Sequence, residues 1–156
     1  MEKNEIRLVI ADQENTKLPE DAIERDIKIE SGPGIITIIS GMRRVGKSTL
    51  LKSIMKRSKE KNFFLNFDDD RLIGFSVKDF QKLVEVFMEI YGSQDTFYFD
   101  EIQNIGGWET FARRLHDSGK KVYITGSNAS MLSRELGTRL TGRYVQIEWL
   151  CCNPLK

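Results

Sequence analysis

A chain of 156 residues, 40% hydrophobic and 30% charged, has the make-up of one soluble globular domain long enough to bury a real core. Its formal net charge of +1 excludes attraction to nucleic acid through bulk charge and leaves only a local patch to consider. The two cysteines, Cys151 and Cys152, are adjacent, which excludes a disulfide framework and favours a reducing interior.

The opening run MEKNEIRLVIADQENTK lacks the apolar core and small-residue cleavage site of a secretory signal. No apolar run approaches the ~18 residues of a membrane span, so the expected location is the cytoplasm, with no membrane partner. LPEDAIERDIKIE, residues 18–30, reads as a short helix with Pro19 and two acids in its first turn, and SGPG ends it. A β-branched strand over 35–40 follows, then the glycine loop GMRRVGK and a helix over 48–60 that turns basic at its end. NFFLNF is a second strand, and DDDR an acidic turn. SVKDFQKLVEVFMEIYG reads as a helix with Phe80, Leu83, Val84, Phe87 and Met88 on one face, Ser76 as N-cap and Gly92 as the stop. TFYF is a third strand, GWETFARRLHDSGK a helix closed by Gly119, KVYIT a fourth strand, ASMLSREL a helix and RYVQIEW a fifth strand. Alternating strands and helices imply an α/β fold with a mainly parallel sheet covered on both faces. Sites on such sheets lie at the carboxyl ends of the strands.

Three predicted strand ends carry unusual polar residues. In GMRRVGKSTLL, Gly41 and Gly46 allow backbone turns that point successive N–H groups at phosphate oxygens. Lys47 supplies a cation for the β- and γ-phosphates, Ser48 a hydroxyl for Mg²⁺, and Thr49 a donor for the α-phosphate, at a helix N-terminus that itself favours anions. A chance glycine turn is the bland alternative, and the flanking strand and helix weigh against it. In TFYFDE, Asp100 is suited to the Mg²⁺ shell and Glu101 to polarising a water for in-line attack; an acidic junction capping the next element is the alternative. In KVYITGSN, Thr125, Ser127 and Asn128 offer hydrogen bonds to the attacking water or the γ-phosphate, Asn128 ahead of Ser127, while Ser127 equally suits the N-cap of the next helix.

Among Arg134, Arg139 and Arg143, the expectation is that at least one, with Arg139 favoured, serves a phosphate or a subunit interface; surface arginines are the alternative. Of Arg43 and Arg44, inside the loop, one is expected to point to the strand-end acids and the other to solvent or a partner. Asp68, Asp69 and Asp70 read as a solvated turn, His116 as an exposed helix residue and Trp108 as a core anchor. No Cys/His cluster has metal-ligand spacing.

ISGMRRVGKSTLL, NFDDDRL, YFDEIQNIGGWE, YITGSNASMLSREL and TRLTGRY together resemble the P-loop ATPases of the AAA+ superfamily. The closer likeness is to prokaryotic AAA-type ATPases that continue into an uncharacterised, often nuclease-like C-terminal domain; ERDI, Glu24 to Ile27, looks like their lead-in segment. The resemblance implies a three-layer αβα P-loop core with a five-stranded sheet in the order 5-1-4-3-2, and ATP with Mg²⁺ as ligands. It puts Gly41, Gly46, Lys47, Ser48 and Thr49 at the phosphates, Asp100 at Mg²⁺, Glu101 as base and the GSN residues as sensor, but fixes no arginine. The expected site is then the loop Gly41, Met42, Arg43, Arg44, Val45, Gly46, Lys47, Ser48 and Thr49 around the nucleotide, Ser48 and Asp100 at Mg²⁺, and Glu101, Asn128 and, from the residues alone, Arg139 in catalysis. Residues 1–34 are then a lead-in, 35–150 the ATPase core and 151–156 a tail. The family's helical lid and further domain have no counterpart in VQIEWLCCNPLK. A homo-oligomer or a C-terminal effector domain is the implied partner, with nucleic acid reached only through such absent regions. The expected activity is Mg²⁺-dependent ATP hydrolysis that drives a partner domain. The alternative is a nucleotide-binding switch without significant turnover, because the lid is missing. A GTPase is disfavoured, since neither a D-x-x-G after the acidic pair nor an N-K-x-D is present. A small-molecule kinase is disfavoured because the Asp-Glu pair suits water activation.

Overall fold

The β-branched run Ile36–Ser40 cannot expose either face to water without loss, and it forms the interior strand β1, buried along its whole length. The computed structural model describes residues 1–15, 29, 32–127, 140 and 142–150. Around β1 stand β2 (Phe64–Asn66), β3 (Thr96–Asp100), β4 (Lys121–Gly126) and β5 (Tyr144–Glu148), with helices α1 (Lys3–Glu14), α2 (Lys47–Arg57), α3 (Phe80–Tyr91) and α4 (Trp108–Asp117). The five strands are all parallel, in the order β2-β3-β4-β1-β5, which is the expected 5-1-4-3-2 read from the other edge. The expected helix over 129–136 and, apart from Ile29, the one over 18–30 fall outside the described residues.

Strand alternation divides the core into two layers. Ile36, Ile38, Phe97, Phe99, Val122 and Ile124 face α1, α3 and α4, whereas Ile39, Tyr98 and Tyr123 face Leu50 and Leu51 of α2. The first layer is strongly aromatic: Phe80 and Phe111 stack with centroids 4.1 Å apart, and Phe63 and Phe87 at 4.9 Å. On α3 the buried arc centres on Leu83 and Phe87, so Val86 turns inward while Met88, expected inside, is 50% exposed. Trp108 is buried, as a core anchor should be.

Helix α1 has no counterpart among the expected elements. It docks Ile6, Val9 and Ile10, at helical spacing, into the layer shared with α3. Its Gln13 also closes the open edge of the sheet. The Asn66 amide donates to Gln13 Oε1 at 2.8 Å and Gln13 Nε2 donates to the Asn66 carbonyl at 3.0 Å, so a side-chain amide takes the place of a sixth strand.

The 3₁₀ turn Val77–Asp79 leads into α3, and the Ser76 amide donates to Asp79 Oδ2 at 2.9 Å. Burial alone would push the Asp79 carboxyl up, but the Ser76 amide and hydroxyl and the Met1 ammonium outweigh it and hold it below its ordinary value. A carboxylate depressed in the folded state contributes stability above the ordinary carboxylate range and loses it as pH falls through the depressed value. Asp79→Asn is therefore expected to cost about 1–2 kcal/mol near neutral pH. Urea unfolding at a series of pH values should show the gap to the parent closing below pH ~4. A gap that stays constant with pH would show that the charge of Asp79 contributes nothing.

Candidate nucleotide site

Five parallel strands end on one edge of the sheet, and the residues that leave them are Gly41, Phe67, Glu101, Ser127 and Trp149. The loop from Gly41 to Gly46 joins β1 to α2. A Cβ on Gly41 would come within 2.3 Å of the Trp149 carbonyl oxygen, so only glycine fits there. Gly46 takes φ +92° as the residue before α2, and Arg44 holds φ +63°, a strained conformation for a residue with a side chain. Among the described residues, the amides of Gly46, Lys47, Ser48 and Thr49 donate to no group. Four orphan donors at the positive end of a helix form an anion cradle.

Lys47 is 3% exposed, with its ammonium donating to the Met42 carbonyl at 2.8 Å and lying 3.8 Å from Glu101 Oε1. Ser48 Oγ donates to Asp100 Oδ1 at 3.0 Å, and Thr125 Oγ1 donates to the same oxygen. Asp100 is buried, and that burial pushes its carboxyl above its ordinary value against the two hydroxyls, with the charge of Glu101 pushing the same way. A buried carboxylate beside a hydroxyl, both hard oxygen donors, fits Mg²⁺, which takes one or two protein ligands and completes its shell with water and phosphate. Among the described residues no three His, Cys, Asp or Glu side chains converge as an all-protein cage.

Glu101 adopts φ +52°, ψ 43°, a left-handed conformation that costs energy outside glycine. Its amide is anchored on Thr125 Oγ1 at 3.0 Å. Ser127 Oγ lies 2.6 and 2.7 Å from the two carboxylate oxygens, and Gln103 Nε2 donates to Oε2. Ser127 thus meets Glu101 directly, and Thr125 braces both acids, donating to Asp100 and accepting from the Glu101 amide. Asn128, Arg134 and Arg139 lie outside the described residues.

Arg143 precedes β5, so it sits at the amino end of the sheet, away from the loop, where its Nε lies 3.5 Å from Asp117 Oδ1. Arg43 is exposed and its guanidinium lies 3.7 Å from Asp68 Oδ1 in the acidic turn after β2, so its partner is that turn and not the strand-end pair Asp100 and Glu101. Met42 and Arg44 are exposed at the loop's tip. Asp69 is no free turn residue: the Arg71 guanidinium holds it well below the usual carboxylate range. His116 pairs with Asp117 at 3.1 Å. Two participants went unread in the sequence, Gln103 and Trp149. The only hints were a polar residue between the buried Ile102 and Ile105, and a tryptophan closing QIEW.

Residues 34–153 match the family model described as "AAA domain". An uncharacterised protein of Methanocaldococcus jannaschii is 40% identical over 132 residues, which are 84% of this chain and 30% of that protein. An uncharacterised protein of Haemophilus influenzae is 40% identical over 123 residues, 72% of this chain and 30% of that protein. The chain thus spans about a third of the length of these curated relatives. No helix among the described residues is long and apolar enough to cross a membrane.

Proposed function

The chain belongs to the AAA-domain family, and from that premise we propose that it binds ATP with Mg²⁺ and hydrolyses it, as the nucleotide-binding module of a longer protein. One observation carries this reading: Lys47, Ser48, Asp100 and Glu101 converge beside four unpartnered amides at the carboxyl edge of a parallel sheet. The amides of Gly46 to Thr49 and the Lys47 ammonium bind and orient the triphosphate. Ser48 and Asp100 hold Mg²⁺, which when bound neutralises charge on the β- and γ-phosphate oxygens. Glu101 takes the proton of the attacking water at a carboxylate oxygen. The sequence supports Asn128 as a partner of that water and Arg139 as a counter-charge to the γ-phosphate. Residues 35–150 form the core of the module, and a C-terminal effector domain or a second copy receives the conformational change.

A second reading, a nucleotide switch without significant turnover, is favoured by one feature. Both oxygens of Glu101 are engaged by Ser127, and Lys47 folds back on Met42, so the carboxylate must give up a partner to meet a water and the ammonium must turn to meet a phosphate.

Calorimetric titration with ATP in the presence of Mg²⁺ is expected to give saturable binding that weakens when the metal is chelated. Silence with every purine triphosphate would overturn both readings. A single-turnover assay then separates them, since loss of the γ-phosphate marks the hydrolase and tight binding without loss marks the switch.

A further inference from the structure

Trp149 leaves the edge strand β5 and touches the phosphate loop at both ends. Its amide donates to the Ser40 carbonyl at 2.6 Å, extending the β5–β1 pairing one step past Glu148. Its own carbonyl oxygen occupies the space that a Cβ on Gly41 would need. Its indole Nε1 donates to the Val45 carbonyl at 2.9 Å and lies 3.8 Å from where a Cβ on Gly46 would stand. The ring is half-buried against the layer of Ile39, Leu50 and Leu51 under α2, which fixes the donor in place.

We propose that Trp149 is a positioning residue for the phosphate loop, holding the Val45–Gly46 peptide so that the Gly46 amide faces a bound polyphosphate. The inference rests on the nucleotide-binding reading above and names a residue which that reading does not use. In a trans peptide the carbonyl and the N–H point in opposite directions, and the described chain has no cis bond. Capturing the Val45 oxygen on the indole therefore turns the Gly46 N–H away from the ring, where it meets no acceptor among the described residues. A peptide next to glycine flips at little steric cost, and a flip here would present a carbonyl to the phosphate in place of an amide. The indole bond opposes that flip before ligand arrives, so the loop is organised in advance.

Trp149→Phe keeps an aromatic ring at the site and removes the donor with the pyrrole half of the indole. Calorimetry should show the affinity for Mg·ATP and for inorganic tripolyphosphate falling by the same factor, about 3- to 10-fold, the worth of one hydrogen bond. The circular dichroism spectrum and cooperative melt should stay those of a folded protein. Emission gives a readout that needs no variant. Of the two tryptophans, Trp108 is buried in the core at 1% exposure, so a change of tryptophan fluorescence on adding Mg·ATP to the parent protein reports Trp149. That change should be missing from Trp149→Phe. Parental affinity of Trp149→Phe for both ligands, or parental emission indifferent to bound Mg·ATP, overturns this inference alone. Absence of binding by the parent overturns the nucleotide reading and this inference with it.

Discussion

Lys47→Ala is expected to weaken Mg·ATP binding by roughly 30-fold to several thousand-fold, because truncating one partner of a buried charge pair costs about 2–5 kcal/mol. The ammonium is 3% exposed, so little water would screen it from a triphosphate in the cradle. It makes two modest contacts, the Met42 carbonyl at 2.8 Å and Glu101 at 3.8 Å. Glu101 keeps Ser127 and Gln103 when the lysine is gone, so no carboxylate is stranded and the fold should survive. Lys47→Met, which keeps most of the apolar stem, should lose binding almost as fully and thereby separate charge from packing. Calorimetry beside a thermal melt makes the comparison. Unchanged affinity in a folded Lys47→Ala protein would remove the lysine from the site.

The elements that could be read from sequence are those whose chemistry is compressed into a few contiguous residues. A buried β-branched strand, two glycines, Lys47 and Ser48 occur within about a dozen positions, and local conformation alone brings them together. Asp100 and Glu101 were legible for the same reason, as charges ending an otherwise apolar strand. The order of the strands came with the resemblance. What could not be read depends on contacts between distant segments. Trp149 matters because an edge strand happens to end beside Val45, 104 positions away; Gln103 is a local exception, brought onto Glu101 two residues back by a 3₁₀ turn that no periodic pattern signals.

Arg143 teaches a different lesson. A residue that precedes a strand of a parallel sheet lies at the edge opposite to one that follows it, so its place before β5 argued against a phosphate role from the start. Helix α1 carries a weak signal because only Ile6, Val9 and Ile10 of its apolar residues are buried, in a narrow stripe that the exposed Leu8 blurs, and the side chain that seals the sheet, Gln13, carries no periodic signal.

Glu101→Gln should leave ATP bound while slowing single-turnover loss of the γ-phosphate by about 10²–10⁴-fold, the usual contribution of a positioned base. The glutamate sits in a strained left-handed conformation with its amide tied to Thr125, so the backbone commits it to one place at the strand end. The glutamine is isosteric, and it can still accept from Ser127. Gln103 can turn its amide so that its buried Oε1, which has no partner in the parent protein, accepts from the introduced amide. Removing the negative charge 3.8 Å from Lys47 also frees the ammonium for phosphate, so affinity should hold or rise. Those two effects together distinguish a lost base from a damaged site, in which binding and turnover would fall in step. Hydrolysis at the parental rate excludes Glu101 as the base. A parent chain that binds ATP and never releases its γ-phosphate supports the switch, and the substitution should then alter affinity alone.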